Sequence, residues 1–252
     1  MLAGRSGGCD VVDLLPRGAA LLLVFSLISA RSTAADAWGG SLALSSDYFV
    51  RGISRTSNNP ALQLDLHYAS AAGFLAGAFA SNTQIDPNAG KDVELSGFVG
   101  FAWNMSADWR SKVLLSHYAY PWNQAGSNYN YDELDLDTTY QGWLHFELNY
   151  SPNSPRFLRS PYHDFISVTE KSAEVSVQRQ LLGKLSATGG VGYSFLDGVN
   201  SGGYTYWSVG GAYDFRSVSL AVSYVDTTAE AKALFYNAAA SGRWMGTVIW
   251  RF

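Results

Sequence analysis

From Trp38 onward, apolar and polar residues alternate with a period of two. The even positions read Trp38, Gly40, Leu42, Leu44, Ser46, Tyr48 and Val50, and the odd ones Gly39, Ser41, Ala43, Ser45, Asp47, Phe49 and Arg51. Side chains point alternately to the two faces of a strand, so this run predicts a strand with one apolar face and one small or polar face. The pattern recurs. Leu62, Leu64, Leu66 and Tyr68 oppose Gln63, Asp65, His67 and Ala69. Val93 to Trp103 oppose Glu94, Ser96 and their neighbours, and Val113 and Leu115 oppose Arg110 and Lys112. Leu134, Leu136 and Tyr140 oppose Glu133, Asp135 and Asp137, while Leu144, Phe146, Leu148 and Tyr150 oppose His145, Glu147 and Asn149. Around residue 75 both faces are apolar or small and the pattern blurs. Further segments near 168–181, 184–196, 204–215, 218–226 and 243–252 bring the expected total to twelve strands.

The connections carry separate information. Those near Ala71-Ala72, Asn104–Ala107, Gln141-Gly142, Leu182-Gly183 and Arg216-Ser217 are tight. The alternate ones are mostly longer and rich in Asn, Gly, Pro, Ser and Tyr. Strict alternation of short turns with long loops is the habit of an outer-membrane barrel, and a soluble sandwich has no reason for it. Hydrocarbon leaves no unpaired backbone group tolerable, so a sheet that crosses a membrane must close on itself. The expected fold is therefore all-β, a transmembrane antiparallel up-and-down β-barrel spanning residues 38–252. Tyr48, Tyr68, Trp103, Trp109, Tyr140 and Tyr150 fall near segment ends, where aromatic girdles meet lipid headgroups. The last segment sets Trp244, Val248, Trp250 and Phe252 against Arg243, Thr247 and Arg251. An alternating strand with a terminal aromatic resembles the signal read by barrel-assembly machinery, and it is expected to close against the first strand.

Residues 1–37 read differently. The run Ala19–Ala30 is short and uncharged, and Ala35 and Ala37 follow it in a small-x-small arrangement. That is the layout of a signal peptide cut after Ala37, or after Ala35 as second choice. The run falls short of the roughly 20 residues a spanning helix needs. The single cysteine, Cys9, precedes the apolar run, so it is no lipoprotein anchor. With 17 basic and 21 acidic residues the net charge is −4, which argues against a nucleic-acid partner. The expected location is the outer membrane of a Gram-negative bacterium, with outer-membrane lipid as the surrounding partner.

The segment Ser46–Gln63 and its sequel to Asn82 carry a family resemblance. Ser46-Asp47-Tyr48, Phe49, Arg51-Gly52, Ser54, Pro60-Ala61, Gln63, Gly73-Phe74, Ala76-Gly77 and Ser81-Asn82 resemble the opening of the TorF-type porins of proteobacteria. Tyr120-Pro121, Asn130-Tyr131, Glu133 and Gly192-Tyr193-Ser194-Phe195 look like later segments of that family. Val50 stands between the aromatic and Arg51, and the tract Pro152–Phe165 is longer than the pattern. The resemblance implies a porin-like protein without naming a solute.

Chemistry narrows the function further. A barrel hydrolase needs a serine two residues from a histidine on one face, and neither His67, His117, His145 nor His163 has one. Asp65 with His67, or His145 with Glu147, have same-face spacing for a metal, but lumen polarity accounts for both. No catalytic residue, metal or cofactor is called for. The expected lumen lining is Asp47, Arg51, Asp65, His67, Glu94, Arg110, Lys112, Glu133, Asp135, Asp137, His145 and Glu147, with Glu174 and Lys184 beside them. This lining leans acidic, which favours cations or small neutral solutes in a narrow channel. Two alternatives stand beside transport: a lumen plugged by its own ion pairs, or a barrel whose loops, such as Pro121–Glu133, bind a partner. Asp47 and Arg51 either narrow the lumen through an inward first loop or pair to anchor that loop.

Overall fold

The computed structural model describes residues 36–85, 90–123, 129–159, 164–199 and 202–252; the signal-peptide reading thus lies almost wholly outside them. Twelve antiparallel strands close a barrel. In chain order they are β1 (Ala37–Ser45), β4 (Ala61–Ala69), β5 (Phe74–Thr83), β6 (Asp92–Asn104), β7 (Trp109–Ala119), β8 (Tyr131–Tyr140), β9 (Leu144–Leu158), β10 (Asp164–Leu182), β11 (Leu185–Leu196), β12 (Gly203–Phe215), β13 (Val218–Thr227) and β14 (Arg243–Arg251). Two short strands, β2 (Phe49–Val50) and β3 (Ile53–Ser54), form a separate hairpin in the first loop. Two short helices, α1 (Ala229–Leu234) and α2 (Asn237–Ala240), occupy the last.

The barrel is apolar outside. Leu44, Leu62, Leu115, Leu148, Val191 and Val222 lie between 53 and 56% exposed, while Ser45, Asp65, Glu94, Ser116, Glu133 and Ser194 point inward and are buried. A soluble protein has no means to leave such a continuous leucine and valine belt in water, whereas hydrocarbon favours it. The seam joins β1 to β14 with Leu42 opposite Trp250 and Leu44 opposite Val248. Beyond it, Gly40 and Phe252 exchange backbone hydrogen bonds of 3.0 and 3.1 Å, so the last residue completes the ladder. Ala37 and Phe252 then lie at one rim with all five tight turns, and the ends of the strands that lead into the six longer connections lie at the other. Trp38 packs tilted against Tyr68 and Trp109 against Tyr140 at the turn rim; Trp207, Tyr224 and Trp244 pack together at the loop rim.

Three expectations are corrected. Tyr48 is no girdle residue: β1 ends at Ser45, the alternation is broken there, and the Tyr48 ring turns inward and is buried. The long connection expected between the segments that end at Tyr150 and resume near 168 is, in its described residues, an extension of the β9–β10 hairpin, with Phe165 opposite Phe157 and Val168 opposite Ser154. Pro152 and Asn153 face the single Thr169, a bulge that bends this extension, and Ser154 to Leu158 are all buried. Lys184 is exposed in a tight turn, its ammonium 4.8 Å from the centre of the Phe215 ring, and does not line the lumen.

Candidate functional site: the narrowed lumen

The first loop shows why the barrel is narrow. Arg51 and Gly52 have φ of 51° and 74° and join β2 to β3 as a two-residue turn. Positive φ at both central positions is the I′ geometry, whose twist matches that of the flanking strands. Glycine is also required by space: a Cβ at Gly52 would sit 2.6 Å from Tyr206 Cβ. The turn is thus pressed against the inner wall, and Arg51 stands at its tip, only 2% exposed.

Arg51 reaches across the lumen. Its Nη2 donates to Glu133 Oε2 at 2.7 Å, and its Nη1 lies 3.5 Å from Glu170 Oε2. Asp47 does not pair with it. Asp47 instead accepts from Ser54 and Thr56 hydroxyls at 2.6 Å each and from Arg243 Nη1 at 3.1 Å. The loop is therefore held inside the barrel by bonds to β8, β10 and β14. Glu94 adds another tether by accepting the Tyr48 hydroxyl at 2.8 Å, and its second oxygen takes the Tyr120 hydroxyl.

Toward the turn rim the inner wall becomes acidic. Glu133, Asp135 and Asp137 lie two apart on β8, Glu147 faces Asp137 across to β9, and Glu174 faces Glu147 across to β10. Lys112 Nζ lies 3.3 Å from Asp137, and Asn149 donates to Asp135 at 2.5 Å and to Glu147 at 2.9 Å. Asp135 Oδ2 remains buried without a protein partner. His67 Nδ1 is 2.6 Å from Asp65 Oδ1, and His145 Nδ1 is 3.1 Å from the Thr139 hydroxyl rather than bonded to Glu147. His67, Asp137, His145 and Glu147 are partly exposed, so this end of the lumen is wetter than the layer around Arg51. Arg110 has inward parity but lies exposed at the rim. Among the described residues, no three His, Cys, Asp or Glu side chains group as metal ligands.

Arg55, Arg156 and Glu170 escaped the sequence reading. Arg156 donates to Glu170, which also accepts from Ser154 at 2.8 Å and Ser194 at 2.5 Å. Arg156 belongs to the tract read as loop, where no alternation assigns a face. Arg55 is four residues from Arg51 beyond a reversal of the chain, so parity again gives no guide. At the loop rim, Phe49, Leu158, Leu196, Tyr204, Leu234 and Phe235 close into a buried apolar cluster that joins the inserted hairpin to the last loop.

The model of a bacterial protein family of unknown function, Gcw_chp, matches residues 29–250. No curated protein matches the sequence. Among solved structures, the KdgM porin in complex with disordered oligogalacturonate is similar at a TM-score of 0.50 with 10% identity, over 85% of this chain and 99% of that one. The NanC porin is similar at 0.53 with 8% identity, over 84% and 98%. At such identities the likeness is one of fold.

Proposed function

The chain belongs to Gcw_chp, a bacterial family of unknown function, and from its fold we propose that it is an outer-membrane porin, passing small solutes or ions through a narrow, mildly acidic lumen. One observation carries this reading. Five carboxylates from Glu133 to Glu174 crowd one inner wall, and the buried Oδ2 of Asp135 has no protein partner. Leaving a buried polar oxygen unmatched costs about 1–3 kcal/mol, more when it is charged, and like charges side by side repel, so such a wall favours a lumen that water or cations reach. Rings of like charge select counter-ions, so cations and small neutral solutes are the expected cargo.

On this reading the chain is a TorF-type porin of a Gram-negative outer membrane. Residues 1–37 are removed on export, and the strand ending in Trp250 and Phe252 is read by the barrel-assembly machinery. The belt of Leu44, Leu148 and Val248 meets lipid. A second reading, a plugged barrel that acts through its loops, is favoured by the apolar cluster filling the loop rim. Planar-bilayer recordings of the purified protein in a salt gradient separate the two. Cation-selective steps support the porin, and a silent membrane containing folded barrel favours the plug.

A further inference from the structure

The turn rim is unevenly charged. On the sector that runs from β9 to β13, Arg179, Lys184 and Arg216 are all exposed, and among the described residues none of them meets a carboxylate. Between Gln178 and Leu185 and between Ala212 and Ser219 the single acid is Asp214, which is buried and accepts the Ser219 hydroxyl. Each cation is laid instead on an aromatic ring. Arg179 Cζ lies 5.2 Å from the centre of the Trp143 ring, while Lys184 Nζ and Arg216 Cζ lie 4.8 and 5.7 Å from the centre of one ring, Phe215. Such stacking holds a charge in place without using its N–H groups, so the donors stay open to an anion.

Apolar surface surrounds these charges. Leu181 and Leu182, beside Lys184 in the same turn, are 63 and 80% exposed, and Phe215 is 53% exposed. Further up the outer face the side chains become small, with Ala187 opposite Gly211 and Gly189 the next outward position on β11. A soluble anion would use the cations and leave the leucines in water. A molecule with an anionic head and an apolar tail uses both, and a turn at the end of a lipid-facing belt sits at the boundary of headgroups and acyl chains. We propose that this sector binds an anionic phospholipid of the leaflet on the turn side, with its phosphate at Lys184 and Arg216 and an acyl chain over Ala187 and Gly211. Arg179 extends the positive surface toward β9. The site requires that the leucine and valine belt lie in lipid, and does not depend on whether the lumen conducts.

The test is native mass spectrometry of the folded, full-length barrel in detergent, titrated with phosphatidylglycerol and, separately, with phosphatidylcholine of the same acyl chains. Retention of phosphatidylglycerol in preference to phosphatidylcholine is expected. Each cation near an anionic lipid contributes about fivefold, so Lys184→Gln combined with Arg216→Gln should weaken phosphatidylglycerol at least about tenfold. Lys171→Gln, which removes an exposed charge from the loop half of β10, should leave it unchanged. Since the three replaced side chains are exposed, the variants should keep the wild-type unfolding midpoint in detergent without lipid. Equal retention of the two lipids, an unchanged affinity in the double variant, or an equal loss in Lys171→Gln overturns the proposal. Displacement of the lipid by glycerol phosphate at the same concentration also overturns it, because no acyl chain then contributes. Conductance is not part of this readout, so a silent pore leaves the result standing.

Discussion

Replacing Arg51 tests whether the inserted loop is held by charge. The Arg51 side chain is 2% exposed and Glu133 is 6% exposed at 2.7 Å, so water screens the pair little. Removing one partner of a buried pair costs about 3–5 kcal/mol, mostly because the remaining charge is left unmatched. Here the stranded charge is Glu133, since Glu170 keeps Arg156, Ser154 and Ser194. Arg51→Ala should therefore lower the unfolding free energy in a urea titration by about that much. Turn strain does not confound this change, because arginine and alanine alike carry the cost of about 1–2 kcal/mol of a non-glycine residue at positive φ. Arg51→Asn separates the two contributions: asparagine suits the turn yet cannot reach Glu133, so it should regain at most that smaller amount over alanine. The double variant with Glu133→Gln should show a coupling of about 1.5–3 kcal/mol with Arg51→Ala. In bilayers the same substitution should raise conductance and shift the reversal potential toward stronger cation selectivity, because a cation leaves the narrowest layer. Simple additivity of the two substitutions, or a loss below about 0.5 kcal/mol in Arg51→Ala, refutes the pinned-loop account.

Other expectations follow from the same geometry. A Cβ at Gly192 would lie 2.3 Å from Tyr206 Cζ, so Gly192→Ala should destabilise the barrel by about 1–3 kcal/mol, and Tyr206→Phe, which keeps the ring, should not rescue it. Val248 stands 46% exposed in the middle of β14, and Val248→Arg should cost about 2–4 kcal/mol in a bilayer while Val248→Ile is neutral; equal stability of the two in lipid vesicles would contradict a lipid-facing belt. Glu147→Gln with Glu174→Gln removes two of five carboxylates from the lumen wall and should move the reversal potential toward anions in a salt gradient. An unmoved potential would exclude that wall from the ion path.

Much of this molecule is readable from period-two alternation, and its limits have the same cause. On β1, β4, β8 and β9 alternation alone assigns residues to the outside or to the lumen, because one face is continuously apolar and a one-residue slip would reverse every side chain. Loop parity and the terminal aromatic likewise determined twelve closed strands with the seam at Phe252. Alternation says nothing once a chain leaves the ladder. Tyr48 turns inward after β1 stops at Ser45, Arg156 lies beyond the bulge at Pro152-Asn153, and Arg55 lies beyond the I′ turn. Tertiary structure alone decided that Arg51 meets Glu133 and Glu170 rather than Asp47, since those partners stand 82 residues or more away along the chain. A closed cylinder sets distant strands opposite one another, and only three-dimensional closure tells an inward-folded loop which charges it will find there.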